Sequence, residues 1–197
     1  LEHLCDESAD ARTTDRAKEL AGEAWRWISD RRDFSALDLD AAAQLEFRWK
    51  AWSAIEALWQ LEDPAHVTVR STEQRISTTL DGVPFRGVID RLDEADDGLV
   101  VTDYKSGKPP RNDRRNEALA QVLLYAAAIE SETGERPVRA RLLFLGGSRG
   151  IVETRVDDER LHTTTGNLTA TWTALGADCA NDSFEPSAGP LCGWCPY

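Results

Sequence analysis

The sequence has no methionine and only four cysteines in 197 residues. Cys5, Cys179, Cys192 and Cys195 are too few and too unevenly placed to frame a disulfide scaffold in a chain this large. Long apolar runs are also missing. Nothing approaches the roughly 20 residues a membrane-spanning helix needs, and no charged segment followed by an apolar one opens the chain as a secretory signal would. A cytoplasmic protein with no membrane partner is the resulting expectation. Basic residues are in short supply, 23 against 35 acidic ones for a net charge of -12, which argues against a protein that coats nucleic acid nonspecifically. There is no internal repeat and no low-complexity segment. The chain begins Leu1-Glu2-His3 and stops at Cys195-Pro196-Tyr197, and the expectation is a piece of a longer polypeptide.

With 41% hydrophobic residues the chain can bury one sizeable core. A single domain over 1–197 is expected, with a helical part at 1–63, a core at 64–177 and a cysteine-bearing tail at 178–197. Helical spacing is visible over 14–29 and 39–60. In the second stretch Leu45, Trp49, Trp52, Ile55 and Trp59 recur every three or four residues, which predicts an amphipathic helix whose tryptophans fill a core or an interface. From Pro64 the period becomes two. Three β-rich runs, HVTVRSTEQRISTTL, VPFRGVIDRLD and GLVVTDYKSG, are separated by Asp81-Gly82 and by Asp96-Asp97-Gly98, as in a strand meander. Pro109-Pro110 interrupts, a strong helix then ends at Gly134, and VRARLLFLG and IVETRV read as two further strands before a last helix over 157–177. Gly146-Gly147-Ser148-Arg149-Gly150 joins two strands and opens no helix, so it reads as a hairpin turn rather than a phosphate loop. The order of elements is that of an α/β fold with a mixed sheet and flanking helices.

The chemistry concentrates between Gly87 and Tyr125. Asp103 and Lys105 stand two apart in a strand, so both side chains leave one face while Tyr104 points to the other. A hairpin turning at Asp96-Asp97 sets Asp90 opposite Asp103, with β-carbons roughly 5 Å apart. Two carboxylates that close repel, and one must take up a proton unless a cation intervenes. Mg²⁺ or Mn²⁺, held by Asp90, Asp103 and the backbone carbonyl of Tyr104 with waters retained, resolves the repulsion, and Lys105 can orient water and offset charge developing on a phosphoryl group. The plain alternative is a pair of strand-end carboxylates salt-bridged to Arg91 or Lys105. Gln121 and Tyr125, one helical turn apart, share a face and can orient the lysine or hold a phosphate. The strip Lys108, Arg111, Arg114 and Arg115 carries one acid, Asp113, and is either a DNA phosphate-binding rim or a solvated loop.

The run G-V-I-D-R-L-D, then D-Y-K-S-G, Q-V-L-L-Y and a closing C-G-W-C-P-Y resembles the RecB-family nuclease domains of the PD-(D/E)xK superfamily, found in bacterial helicase–nucleases and in stand-alone exonucleases. The resemblance implies a restriction-endonuclease-like fold and a metal-dependent DNA exonuclease acting in double-strand break repair. It also implies a fused helicase domain or a partner helicase–nuclease subunit. By it Asp90 is the first metal carboxylate, Asp103 and Lys105 are the D-x-K core, and Gln121 and Tyr125 form the helix motif. Family members also supply a histidine in a G-x-x-x-H segment followed by Leu-Glu. Leu1-Glu2 matches that continuation, so the histidine is expected upstream, and His3 is on the wrong helical position to replace it. Members with a 4Fe-4S cluster use a C-x-x-C like Cys192 and Cys195 with two further cysteines. Here that pair is half a site, with structural zinc or two plain thiols as the alternatives. The competing function is a non-catalytic DNA-binding or scaffolding module on a nuclease fold, the expected behaviour of the chain without the histidine.

Overall fold

The computed structural model describes residues 1–184, 186, 188, 189 and 192–194. Five strands, β1 (Thr68–Leu80), β2 (Val83–Ala95), β3 (Gly98–Lys105), β4 (Arg139–Phe144) and β5 (Gly150–Arg155), form one sheet in sequential order. All neighbours are antiparallel except β3 and β4. The first turn is two residues long, with Asp81 at φ 45° and Gly82 at φ 84°, the paired left-handed conformations that match the twist of a hairpin. The parallel β3–β4 step needs a crossover, and α5 (Arg115–Thr133) supplies it. That helix stops where Gly134 adopts φ 74°, a conformation other residues reach only with strain.

Helix α5 and α6 (Asp158–Asn181) cover one face of the sheet. The core between them draws Ile76, Ile89, Leu92 and Val101 from the strands and Val122, Ala126 and Ile129 from α5, all 3% exposed or less. Short side chains at Ala126, Ala127 and Ala128 let the helix axis approach the strands. Four helices precede the sheet: α1 (Glu2–Cys5), α2 (Thr14–Ser29), α3 (Arg32–Ser35) and α4 (Ala41–Glu56). The tight turn Ala57–Gln60 then packs Ala57 and Leu58 on the other sheet face, against Leu143, Leu145 and Tyr104.

The tryptophan stripe on α4 behaves differently from its expected burial. Leu45 is 68% and Trp49 65% exposed, whereas Trp52, Ile55 and Trp59 are half-buried. The reason is that α4 meets α2 and α3 through a small aromatic cluster, Trp25, Phe34 and Phe47, and only its C-terminal end reaches the sheet.

Candidate active site

Strand alternation fails at one place, and the site residues gather there. Along β2 the inward positions are Val83, Phe85, Gly87 and Ile89. Leu92, three residues after Ile89, rejoins the same core, so the phase changes across Asp90 and Arg91. In β1 the ladder pairs Thr72 with Arg91 and Gln74 with Ile89, and between them Glu73 adopts φ 47°. A glutamate in that conformation inside a strand is strained, and strain of this sort collects at functional sites. Sequence reasoning missed Glu73, because no residue type marks a left-handed glutamate in a strand.

The β2–β3 ladder is paired as far as Arg91 and Thr102, one step short of Asp90 and Asp103. At that step the Asp90 carboxylate stands in for a backbone acceptor: Tyr104 N–H donates to its Oδ2 at 2.9 Å. A strand residue presents its N–H and C=O to the same side, so the Tyr104 carbonyl also emerges toward Asp90. The neighbouring Lys105 carbonyl is turned the other way and accepts from Leu145 N–H at 2.8 Å.

Asp103 is 3% exposed, and its Oδ2 lies 2.7 Å from Lys105 Nζ. Burial raises the Asp103 pKa above its ordinary value, and the Lys105 hydrogen bond opposes that shift. The same ammonium donates to Gln121 Oε1 at 3.0 Å, and Gln121 Nε2 donates to Tyr125 Oη at 2.9 Å. Because Lys105 can only donate, the Gln121 carbonyl must face it, which leaves the amide NH₂ for Tyr125. The Tyr125 ring is seated edge-on against Phe85 and directly over Gly87, where an added Cβ would stand 2.4 Å from its Cε1. The glycine of G-V-I-D is thus the floor for the tyrosine of Q-V-L-L-Y.

Glu73 completes a row of acids across three strands. Its pKa is raised by burial first, then by the charges of Asp90 and Glu2. Among the described residues no three His, Cys, Asp or Glu side chains converge as a ready metal cage. The donors nonetheless suit a hard ion: two carboxylates, a backbone carbonyl on the same side, and a buried Asp103 whose Oδ2 has the Lys105 ammonium 2.7 Å away. Mg²⁺ and Mn²⁺ are commonly held by one or two carboxylates with water filling the other positions.

Arg91 is not a partner of Asp90. It points to the opposite sheet face, where it pairs with Asp93 and Glu62. Lys108, Arg111, Arg114 and Arg115 are all exposed between the end of β3 and the Gln121 turn of α5. Arg114 lies 3.8 Å from Glu117, and the other three form no ion pair among the described residues. His3 and His66 sit beside Asp6 and Asp63 on the surface, and His162 is exposed. Cys192 is exposed, Cys179 lies near the exposed end of α6, and Cys195 lies outside the described residues.

The model of the PD-(D/E)XK nuclease superfamily matches residues 1–197, the entire chain. No curated protein matches. Among solved structures, one from Eubacterium rectale named "putative exonuclease" is similar over 89% of this chain and 72% of its own, with a TM-score of 0.55 and 14% identity. At that identity the likeness concerns the fold, a mixed five-stranded sheet with helices on its faces.

Proposed function

Because the chain belongs to the PD-(D/E)XK nuclease superfamily, we propose that Asp90, Asp103 and Lys105 hydrolyse phosphodiester bonds in DNA with the help of Mg²⁺ or Mn²⁺. The observation that carries the proposal is the chain of contacts from Asp103 through Lys105 and Gln121 to Tyr125, set beside Asp90 where the strand ladder ends. Asp90, Asp103 and the Tyr104 carbonyl are the residues that would hold the ion, which supplies Lewis acidity toward the phosphate and acidifies a water. Lys105 is held at a fixed place by two partners, so its charge is in position before negative charge builds on the phosphate oxygens. Gln121 and Tyr125 keep it there. Glu73 stands in the strand neighbouring that of Asp90, where its carboxylate adds negative charge to the site.

Lys108, Arg111, Arg114 and Arg115 form the rim that grips backbone phosphates, which makes binding tolerant of sequence. Two arginines at the start of α5 oppose the helix dipole, so helix stability does not account for them. In its finer form the proposal is an exonuclease of the RecB type, working beside a helicase in break repair. Cys192 and Cys195 then contribute two thiolates to a 4Fe-4S cluster completed by other cysteines.

The test is degradation of linear duplex and single-stranded DNA in Mg²⁺ and in Mn²⁺ by the wild type, Asp103→Ala and Lys105→Ala. In the full-length protein that carries this chain, cleavage is expected from the wild type alone, with all three proteins equally folded by circular dichroism. Undiminished cleavage by both variants would sink the assignment. A wild type that binds DNA and Mn²⁺ but never cuts would make the chain a binding module.

A further inference from the structure

A buried array of charges lies on the sheet face opposite Lys105. Arg91, 1% exposed, forks onto Asp93, with Nε 2.7 Å from Oδ1 and Nη2 3.1 Å from Oδ2. Its Nη1 reaches Glu62 Oε1 at 2.6 Å and donates to the Tyr104 hydroxyl. Arg141, from β4, contacts Glu62 at 2.9 Å, Asp93 at 2.8 Å and the Thr102 hydroxyl at 2.8 Å. Two arginines and two carboxylates balance to zero charge, so the array survives burial. Arrays of this sort add little stability over apolar packing of the same volume, and their better-attested use is to hold one geometry against others.

What they hold follows from chain position. Arg91 follows Asp90; Thr102 precedes Asp103; Tyr104 separates Asp103 from Lys105. Each sends its side chain to the back while its neighbour faces the site. Tyr104 is engaged at two ends, by its hydroxyl with Arg91 and by its N–H with Asp90. The β2–β3 ladder has stopped by this point, since Arg91 and Thr102 form its last pair, and Glu73 in β1 is out of strand conformation. On its other edge β3 stays paired with β4 through Lys105 and Phe144, so the ladder ties the Tyr104 peptide to β4 and no β2–β3 ladder bond ties it to Asp90.

We infer that Arg91 and the Tyr104 hydroxyl are positioning residues: by anchoring the tyrosine ring from behind, they set the Tyr104 peptide so that its N–H orients the Asp90 carboxylate and its carbonyl faces the same ion. The inference rests on the metal-site reading above. It assigns the array a task in metal affinity, separate from its share in stability.

Tyr104→Phe tests it, because it deletes the hydroxyl and keeps the ring. Mn²⁺ affinity is measured by the EPR signal of unbound manganese for the wild type, Asp90→Asn, Tyr104→Phe and Ile129→Val. The last loosens the core on the α5 side, away from the array. Hydrogen exchange of the residue 104 amide is followed by NMR without metal. Tyr104→Phe is expected to weaken Mn²⁺ binding about 10-fold, the lower end of what partners behind a metal ligand contribute. Its residue 104 amide is expected to exchange faster, while Ile129→Val keeps wild-type affinity at a comparable loss of stability. Wild-type affinity and wild-type amide protection in Tyr104→Phe would overturn the inference and leave the metal site standing. A wild type whose manganese binding is absent or indifferent to Asp90→Asn would overturn both.

Discussion

Gly87→Ala probes the seat of Tyr125, and its cost can be worked from distances. The new methyl would lie 2.4 Å from Tyr125 Cε1 and 3.2 Å from both Cζ and Oη. Carbon atoms in ordinary contact stand about 3.5–4.0 Å apart, so the ring has to shift by roughly 1 Å or more. It has little room, being 7% exposed, against Phe85 and bonded to Gln121. Overpacking of that kind costs about 1–3 kcal/mol, and loss of the Gln121 hydrogen bond adds about 1 kcal/mol. Replacing a strand glycine by alanine returns about 0.5–1 kcal/mol. The net expectation is a destabilisation of about 1–3 kcal/mol, read from urea denaturation without metal. The decisive comparison repeats Gly87→Ala in a Tyr125→Leu background, where the ring atoms that meet the methyl are gone. There the substitution should be neutral or mildly stabilising. Equal costs in the two backgrounds, within the roughly 0.5 kcal/mol expected of independent sites, would refute the reasoning. Cleavage should fall in Gly87→Ala as well, because Gln121 loses its partner and holds Lys105 less firmly.

Asp157 caps α6 by accepting from Arg160 N–H at 2.9 Å, and this backbone hydrogen bond is the main cause of its lowered pKa. An acid whose folded pKa is depressed stabilises most above its ordinary value of 3.8 and loses that contribution as pH falls through the lowered one. The stability difference between wild type and Asp157→Ala should thus hold near neutrality and vanish in strong acid; an equal difference at both ends would contradict the capping account. Cys5 is half-buried and burial raises its thiol pKa, whereas Cys179 is exposed. Iodoacetamide at mildly alkaline pH should label Cys179 well before Cys5 by peptide mapping, and the reverse order would mean that α1 is not packed as described. Replacing Arg111 and Arg115 together by glutamine should flatten the salt dependence of DNA binding by about two units of slope, roughly one per lost phosphate contact. An unchanged slope would leave the strip a solvated loop.

Much of the fold was legible because the punctuation is strong. Asp81-Gly82 and Asp96-Asp97-Gly98 mark the turns that the strands make, and the α5 pattern ends at the glycine that caps it. The geometry of Asp103, Lys105, Gln121 and Tyr125 was equally legible, since periods of two and of four residues put their side chains together once the strand and the helix were placed. The α4 tryptophans show the limit of periodicity. A repeat of 3.6 residues announces a helix with an apolar stripe, and it does not name the surface that the stripe meets.

The buried array was illegible for a different reason. Arg91 and Asp93 sit in a strand as i and i+2, a pattern that ordinarily faces water. Their burial depends on Glu62, which belongs to the segment before β1, and on Arg141, which arrives in β4 only after the α5 crossover. Neither neighbour can be inferred from local spacing. The two kinds of residue are also one construction: in the stretch from Thr102 to Lys105, alternate side chains go to the array and to the site. A substitution on the hidden face therefore acts on the working face through a backbone only one peptide thick, at the point where β3 is still paired with β4 but the β2–β3 ladder has ended and the Asp90 carboxylate takes its place.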